Sequence, residues 1–448
     1  MNTHEYARQL LVGSFSAALV AADPLHIMPC HLPASLLPAG RTLVAGAGKA
    51  AAAMALAVEN HWPKNVALDG IILTRYGHAL PLEKITVVEA GHPLPDEQGE
   101  NGARTLLAEV KKLGPDDLLL CLLSGGGSSL LSLPITGISL SDLRVVTRQL
   151  LGCGATIQEI NTVRKHLSAV QGGRLAASCR DPILSLIISD VTGDDLTHIA
   201  SGPCAPDPTT YLDALAIIEG YGIHPPGAIT DTLLAGARGQ LKETPKPGDA
   251  VFSQVENRVI ATAHVSLLAA AEYFHTQDIP AVILGDSVTG EARDVAKVYA
   301  ALAKEVRQYG HPWKPPVALI SGGETTVTLR AKGPEGQGDS NGQGERGGDW
   351  NGHGGRNTEF LLSLGIELDG AEGIYALACD TDGIDGTENN AGAIITPDSL
   401  RRAKESGAHA SAFLAANNTY TFFQQLDDLV VTGPTRTNVN DYRAILVL

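Results

Sequence analysis

The chain has 448 residues, of which 44% are hydrophobic and 4% aromatic, so it can bury at least one large core and its length favours two domains. Its 33 basic residues against 49 acidic ones give a formal charge of −16, which argues against a nucleic-acid surface and against an anionic membrane. The six cysteines lie far apart with no CxxC pair, a pattern typical of reduced thiols in a cytoplasmic protein.

An apolar stretch at 10 to 22 comes first along the chain. Its helical spacing, followed by Asp23 and Pro24, predicts an amphipathic helix with a proline stop. A signal peptide is the weaker alternative, because Glu5 interrupts the basic start that such a segment needs. No stretch reaches the length of a transmembrane helix.

Short apolar runs then alternate with helical windows rich in alanine and leucine. The strands predicted in the first half are 42–45, 70–74, 85–88, 117–123 and 183–188, and the helices are 49–60, 98–113, 141–150, 166–178 and 210–219. In the second half we predict strands at 258–262, 281–285, 317–320 and 374–378 and helices at 264–277 and 291–306. The alternation favours a largely parallel sheet covered on both faces.

The polar, proline-bearing stretch 242–249 predicts the domain boundary. We therefore expect an N-terminal Rossmann-like α/β domain at 1–245, a three-layer sandwich with a mostly parallel sheet, and a second α/β domain at 250–448. Residues 331–355 hold ten glycines among polar residues, a composition that cannot pack a core. This insertion is either a tolerated surface segment or a lid.

Two apolar runs, 118–129 and 317–326, end in serine-glycine loops. Each run predicts a buried strand whose carboxyl end opens into a loop, the usual place for ligands in open α/β sheets. Glycines there let backbone N–H groups converge on an anion, so we predict phosphate or substrate binding. The residues of these two loops are Ser124, Gly125, Gly126, Gly127 and Ser128, and Ser321, Gly322, Gly323 and Glu324.

The segment 42–59 predicts a strand, a glycine turn and a helix. Gly46, Gly48 and Ala51 match the dinucleotide fingerprint, and Asp69 follows at a suitable distance, so a nicotinamide-dependent enzyme is one alternative. Lys49, expected in the first turn of the helix, instead favours a phosphate or carboxylate ligand.

Acidic and basic residues follow other predicted strands. Asp190 comes after one strand, and Asp380, Asp382 and Asp385 come after another, which suits Mg²⁺ held by one or two carboxylates and by substrate phosphates. In GGRN at 354–357, the guanidinium of Arg356 is placed to face an oxyanion from a helix start, flanked by Gly355 and Asn357. Three further basic residues are ambiguous, because a solvated helix face explains them as well as a role in the site does: Arg164, Lys165 and Arg174.

Many motifs now occur in one order. They are VAGAGKA, AGHPLPDE, LLSGGGSSLLSLP, VRKHLSAVQGGRLA, SDVTGDDLTHIASGP, SGGETTVTL, GGRNTEFLLSL, DTDGIDGTENNAGA and TGPTRTNVNDY. Through them nearly the whole chain resembles the glycerate 2-kinases of the MOFRL type, which are also recorded as hydroxypyruvate reductases.

The resemblance implies two α/β domains with the active site in the cleft between them. It also implies phosphorylation of D-glycerate at the 2-hydroxyl by ATP with a divalent metal, taken as Mg²⁺, and active-site roles for Lys49, Arg356 and Asp190. The partners are then these small molecules, with no nucleic acid and no membrane, and a homo-oligomer is allowed. Two departures from the family pattern are the long insertion before Arg356 and Arg436, which stands where glycine is usual.

Two other functions stay open at this point. One is an NAD(P)H-dependent hydroxypyruvate reductase, supported by the glycine fingerprint although no catalytic His/Arg/Glu set is evident. The other is a binding protein for small acids.

For the kinase we expect a mechanism in which Lys49 and Arg356 position the phosphate and Asp190 orients or deprotonates the hydroxyl.

Overall fold

A computed structural model describes residues 3–33, 38–329 and 352–448, and the chain divides into two units. We call Ala22–Thr262 with Arg436–Val439 the first unit. The second unit comprises Met1–Ala21, Ala263–Thr435 and Asn440–Leu448, and it begins with helix α1, Thr3–Val20. The bulk of the predicted insertion, residues 330–351, lies outside the described residues.

The first unit contains all the strands predicted in the first half of the chain. These are β1 Arg41–Ala47, β2 Ala67–Arg75, β3 Ile85–Ala90, β4 Leu118–Leu123 and β5 Ile183–Ile188, and the unit also contains β6 Val255–Ala261, which the sequence places in the second half. The helices are α2 Pro24–Ile27, α3 Ala51–His61, α4 Glu97–Val110, α5 Gly127–Leu130, α6 Leu140–Gly152, α7 Ile157–His166, α8 Arg174–Ser178, α9 Tyr211–Gly220 and α10 Gly227–Ala237.

The six strands of the first unit form one parallel sheet in the order β3-β2-β1-β4-β5-β6. Both faces of the sheet are covered, which is why β4 is apolar throughout. Leu118, Leu120 and Leu122 pack into one core, and the alternate residues Leu119 and Leu123 pack into the core on the opposite face. The predicted Rossmann-like, three-layer sandwich is therefore confirmed.

One predicted helix of the first unit is wrong. Residues 166–178 are not one helix, because α7 ends at His166 and α8 begins only at Arg174. Between them Gly172 and Gly173 have φ values of +59° and +77°, which lie in the left-handed region and cannot continue a right-handed helix.

The boundary between the units also differs from the predicted one at 245–250. It falls between Thr262 and Ala263, because β6 pairs with β5 in parallel, with Val255 opposite Ile183. The segment 242–249 belongs to the first unit, where Asp207 N donates to the carbonyl of Pro245 at 2.8 Å.

The second unit has strands β7 Ala281–Gly285, β8 Gly290–Glu291, β9 Val317–Ser321, β10 Thr325–Thr326, β11 Ile374–Asp380, β12 Gly392–Ile395, β13 Leu429–Val430 and β14 Asp441–Val447. Its helices after α1 are α11 Ala263–Thr276, α12 Ala292–Tyr309, α13 Arg356–Leu368, α14 Ser399–Glu405, α15 Ala410–Ala415 and α16 Thr419–Gln425. Its main sheet, in the order β13-β12-β11-β14-β9-β7, is mixed, since β14 runs antiparallel to both β11 and β9. The predicted α/β class is confirmed.

Helix α1 is part of the core of the second unit, so the domain predicted at 1–245 does not include it. Its apolar face, with Leu10, Leu11 and Phe15 buried, packs in one cluster with Phe274 of α11 and Tyr442 of β14. No single helix among the described residues is long and apolar enough to cross a membrane, although α1 and the following Pro24–Cys30 segment, bent by 54°, pass that test as a pair.

Candidate active site

The order in which strands are added to the sheet of the first unit reverses between β1 and β4, which makes this pair the topological switch point. The loops that follow these two strands meet there. Strands built outward on both sides of such a pair leave a crevice at their carboxyl ends, where ligands bind. Ala47, the last residue of β1, lies opposite Leu123, the last residue of β4. The N–H of Lys49 then donates to the Gly125 carbonyl at 2.8 Å, which joins the two loops.

Lys49 lies in the turn between β1 and α3, one residue before the N-cap Ala50. The prediction that it sits in the first helical turn is therefore wrong by two residues, because α3 begins at Ala51, although Lys49 remains next to the positive end of the helix dipole. Gly126 has φ +80°, and a Cβ atom there would lie 3.0 Å from the His92 ring and 3.5 Å from Lys49 Cγ. The missing side chain lets this lysine and this histidine approach the same loop.

Asp190 reaches the other side of the same loop. It follows β5, the neighbour of β4, and its carboxylate Oδ2 accepts a hydrogen bond from Asn438 Nδ2 at 3.3 Å. A Cβ atom on Gly125 would lie 2.0 Å from this Oδ2, so only glycine leaves room for the carboxylate. The structure thus brings together Lys49, Asp190 and the first serine-glycine loop, as the sequence predicted.

The outer part of the first loop is held by a strained segment that sequence reasoning missed. Ala200 and Ser201 have φ values of +50° and +58°, uncommon for residues with a side chain. Ser201 Oγ donates to Ser128 Oγ at 2.8 Å, and a Cβ on Gly127 would lie 2.6 Å from the Ala200 Cβ. Strain of this kind persists only where the surroundings enforce it and clusters at functional sites.

Two glycines of the dinucleotide fingerprint serve packing within the protein. Gly46 lies inside β1, where a Cβ would come within 2.6 Å of the Leu122 carbonyl, so close packing accounts for this glycine and its ligand role stays a prediction. A Cβ on Gly48 would lie 2.0 Å from Ser124 Oγ, which itself accepts a hydrogen bond from Ala50 N at 3.0 Å. The space that a pyrophosphate would need beside Gly48 is filled by Ser124.

Asp69 also fails as the ribose ligand of a dinucleotide site. It pairs in register with Leu43, whereas Leu73 pairs with Ala47 at the carboxyl end of β1. Four residues of strand separate Asp69 from that edge, a distance of about 13 Å. Its carboxylate instead forms an ion pair with Arg41 Nη1 at 3.0 Å.

In the second unit, Arg356 begins α13 and is surrounded by three carboxylates. Its Nη1, Nη2 and Nε atoms lie 3.0 Å from Glu324, 2.6 Å from Asp380 and 2.8 Å from Asp441. Burial alone would lower the pKa of Arg356, but Asp441, Asp380 and Glu324 outweigh it and raise the pKa well above its usual value. All three nitrogens of the guanidinium are therefore engaged by acids of the chain, and the predicted role of Arg356 in facing an oxyanion stays a prediction.

Asp441, which the sequence analysis did not single out, organises this cluster. Its Oδ1 also accepts from Asn357 Nδ2 at 2.8 Å, and its Oδ2 accepts from Arg443, a fully buried arginine over the Phe360 ring. The two guanidiniums of Arg356 and Arg443 face the carboxylates of Asp441, Asp380 and Glu324, so the cluster carries an excess of one negative charge.

The second serine-glycine loop does not form the predicted anion cradle at Gly322. The N–H of Gly322 donates to the Gly285 carbonyl at 2.9 Å, and its own carbonyl accepts from Arg443 Nη1 at 3.1 Å. Gly323 has φ +101°, and a Cβ there would lie 2.3 Å from Val288 N, so this glycine is required by a close backbone approach. Ser321 is buried at the end of β9, and only Glu324 is exposed.

The acids after β11 divide into different roles. Asp385 is fully buried, and its two oxygens accept from Asn357 N at 2.9 Å, Thr358 N at 2.9 Å and Thr358 Oγ1 at 2.8 Å. It caps α13, so its predicted role as a metal ligand is not supported, and burial raises its pKa above the usual value despite these bonds. Asp380 and Asp382 accept backbone bonds within the loop, from Asp382 N and Ile384 N.

A metal site formed by protein ligands alone is not evident in the part of the chain that the structure describes, since it contains no group of three or more His, Cys, Asp or Glu suited to one ion. Mg²⁺ bound through one or two carboxylates and substrate phosphates does not need such a group. Asp190, which is half-buried, retains the chemistry for that mode of binding. Both oxygens of Asp380 are engaged, Oδ2 by Arg356 Nη2 at 2.6 Å and Oδ1 by Asp382 N at 3.0 Å, so metal binding by the acids after β11 stays a prediction.

Comparisons with known proteins show which family the chain belongs to. Residues 10–234 match a domain of unknown function, DUF4147, and residues 317–441 match the MOFRL family. The chain is 38% identical to the D-glycerate 2-kinase of Thermotoga maritima over 98% of this chain and 97% of that protein. The crystal structure of a glycerate kinase from Thermotoga maritima, 36% identical, superposes with a TM-score of 0.85 over 99% of this chain and 100% of the other.

The chain belongs to the MOFRL-type glycerate 2-kinase family. A relative from Agrobacterium vitis, 49% identical over 98% of this chain and 94% of its own length, carries the provisional name hydroxypyruvate reductase. For this member of the glycerate 2-kinase family, the positions of Gly48 and Asp69 argue against the dinucleotide site that a reductase would need.

Proposed function

We propose that the protein is a glycerate 2-kinase, which transfers the γ-phosphoryl group of ATP to the 2-hydroxyl of D-glycerate. The observation that carries this proposal is the similarity over nearly the full length to the D-glycerate 2-kinase of Thermotoga maritima. The meeting of Lys49, Asp190 and the Gly125–Ser128 loop at the switch point of the sheet supports it, because phosphoryl transfer needs positioned charge more than covalent chemistry.

In the first unit we assign charge neutralisation to Lys49 and hydroxyl activation to Asp190. An ammonium group beside a helix N-terminus stabilises the charge that builds up on the transferring oxygens. Asp190 lies on Gly125 and accepts a bond from Asn438, so its carboxylate is oriented and can take the proton of a hydroxyl held against the loop. The half-buried position of both side chains limits the water around them.

In the second unit we assign Arg356 to the same transfer. Its charge is neutralised by three carboxylates, and of these Glu324 has a side chain that is 53% exposed. An anion at Arg356 therefore has to displace Glu324, whereas Asp380 and Asp441, 5% and 0% exposed, keep the guanidinium oriented. Arg356 would then act as a held, directional donor rather than as a mobile charge.

ATP is the co-substrate that this activity implies, and Mg²⁺ is the metal that its phosphates bring. Asp190 of the first unit is the residue that would hold Mg²⁺, which when bound would neutralise phosphate oxygens. We place the protein in the cytoplasm. Its partners are small molecules, since its net charge of −16 disfavours nucleic acid and anionic membranes.

One experiment separates the kinase from its rivals. The purified protein is incubated with D-glycerate and Mg-ATP, and separately with hydroxypyruvate and NADH. ADP together with 2-phosphoglycerate, identified by phosphorus NMR, is the expected result. Oxidation of NADH without ADP formation would establish the reductase, and binding of glycerate with neither reaction would leave a binding protein.

The role of Lys49 is tested by Lys49→Ala. Loss of a donor that acts on transition-state charge costs about a hundredfold or more in kcat. Lys111→Gln, at an exposed lysine after α4, is the matched control and should leave kcat unchanged. Near-normal kcat of a folded Lys49→Ala protein would remove this lysine from the mechanism.

A further inference from the structure

We propose that the first unit carries a second ligand site, a pocket for a compact anion, separate from the residues assigned to catalysis. It is lined by Arg174, Lys242 and Glu243 with the apolar side chains of Ile135, Ala169 and Pro245, and its volume is about 310 Å³. We call it the Arg174 pocket. None of Lys49, Ser124–Ser128 and Asp190 lines it.

Arg174 has no acidic partner in this pocket. Its Nη2 donates to the neutral Tyr211 hydroxyl at 3.2 Å, and its Nε is buried without a hydrogen-bond partner. Among residues 3–33, 38–329 and 352–448, no carboxylate oxygen lies within 4.0 Å of a nitrogen of Arg174, so none forms a salt bridge with it. The charge of Arg174 is therefore not compensated by a carboxylate of the described residues, and an anion in the pocket would supply that compensation.

Lys242 adds a second positive charge, and Glu243 does not cancel it. Lys242 is exposed and makes no ion pair with any residue the structure describes. Glu243 Oε1 accepts from Tyr211 N at 3.0 Å, and its Oε2 lies 3.3 Å from both Lys246 Nζ and His166 Nε2. Because Lys246 balances this carboxylate, the pocket presents two uncompensated cations in a chain of net charge −16.

The walls of the pocket are fixed before any ligand enters. Ile135 N donates to the Leu167 carbonyl at 3.0 Å, and Ala169 N donates to the Leu133 carbonyl at 2.7 Å. Pro245 is held by the bond from Asp207 N to its carbonyl at 2.8 Å. A preformed pocket binds more tightly because little ordering is needed.

These features select a small ligand with at least two negatively charged oxygens. A guanidinium presents its two terminal nitrogens as a fork that matches carboxylate or phosphate, and an ammonium adds a point charge. The volume fits a phosphate monoester or a short dicarboxylate and is at the lower limit for small-molecule sites. The shared chemistry is therefore a compact dianion.

The test is calorimetric titration of the full-length protein with inorganic phosphate and, separately, with malonate. The variants are Arg174→Gln and Lys242→Gln, and Lys111→Gln is the control, because it removes one exposed lysine outside the pocket. We expect Arg174→Gln to weaken binding of at least one probe about tenfold or more, Lys242→Gln to weaken it less, and Lys111→Gln to leave it unchanged. Any binding that survives in the pocket variants belongs to other anion sites.

The two probes identify the ligand class, and the variants decide the proposal. A loss with phosphate alone assigns a phosphate ester, and a loss with malonate alone assigns a dicarboxylate. The proposal is overturned if neither probe binds, or if the isotherms of both pocket variants superimpose on that of the unmodified protein. Lys242 is exposed, so its variant keeps the test decisive even if Arg174→Gln lowers the yield of folded protein.

Discussion

Asp441 accepts the Nε–H of Arg356 at 2.8 Å across 85 residues of sequence. The same carboxylate accepts hydrogen bonds from Asn357 and Arg443. One buried acid at the start of β14 therefore fixes the direction of Arg356 at the start of α13. Burying a charge is costly unless it is paired, which explains why Asp441 and the two arginines occur together.

The substitution Asp441→Asn should therefore reduce both stability and turnover. Removing one partner of a buried ion pair typically costs about 3 kcal/mol or more, because the remaining charge is left without compensation. Thermal unfolding would measure the loss of stability, and steady-state kinetics would measure kcat. Glu324→Gln is the control for stability, since its carboxylate is 53% exposed and exposed pairs contribute about 1 kcal/mol or less. Equal melting temperatures for the two variants would contradict this account.

Arg356→Lys tests whether direction or charge alone matters at this position. Lysine keeps the charge, but it cannot present three nitrogens to Glu324, Asp380 and Asp441 at once. We expect kcat to fall roughly a hundredfold, close to the value for Arg356→Ala. If Arg356→Lys keeps most of the turnover, the positive charge is sufficient and the orientation by Asp441 is not part of the mechanism.

The sequence predicts the sheets well because the evidence is local. The apolar run of β4 and the glycine turn after β1 each fix a strand and its carboxyl end, and these ends meet wherever the strands are parallel. Lys49, Asp190 and the first loop could therefore be grouped from sequence. The break at Gly172 and Gly173 was missed because apolar spacing does not report the sign of φ.

The parts that sequence reasoning missed depend on distant pairing or on strand register. Asp441 reaches Arg356 only through antiparallel pairing of β14 with β11, in which Asp380 lies opposite Asp441. Asp69 was assigned to a dinucleotide because its spacing along the chain suits one, and only the register of β2 against β1 shows that it lies at the opposite end of the strand. Asn438 is 248 residues from the Asp190 that it contacts.

The contact between Gly125 and Asp190 predicts a specific effect of a single methyl group. In Gly125→Ala the new Cβ would lie 2.0 Å from Asp190 Oδ2, so the carboxylate must move away from the loop. We expect kcat to fall by tenfold or more, since small displacements of a positioned group are expensive in catalysis. Gly152→Ala, at a helix end with nothing within 4 Å, is the matched control and should be neutral. Normal turnover of Gly125→Ala would show that Asp190 does not act from its observed position.

A last prediction concerns acid stability and the buried pair Lys165 and Asp207. Lys165 Nζ lies 2.8 Å from Asp207, and both side chains are fully buried. Burial alone would raise the pKa of Asp207, but Lys165 and the hydroxyl of Thr209 outweigh it, so the pKa is lowered from its ordinary value of 3.8. A carboxyl with a lowered pKa in the folded state stabilises the protein above pH 3.8, and that contribution is lost as the pH falls through the lower, folded-state pKa.

The variant Asp207→Asn should lose about 3 kcal/mol of stability at pH 7, because it leaves the Lys165 ammonium buried and unpaired. The difference from the unmodified protein should shrink as the pH is lowered from 4 towards 2 by about the free energy linked to this one proton. Urea unfolding of both proteins at pH 4 and towards pH 2 measures the difference in their free energies of unfolding at each end of the range. Asp213→Asn is the control and should cost about 1 kcal/mol, since Asp213 is the exposed third residue of α9 and its carboxylate accepts a hydrogen bond from the N-cap Thr210. A difference between Asp207→Asn and the unmodified protein that stays constant with pH would show that Asp207 does not titrate below its ordinary range in the folded protein.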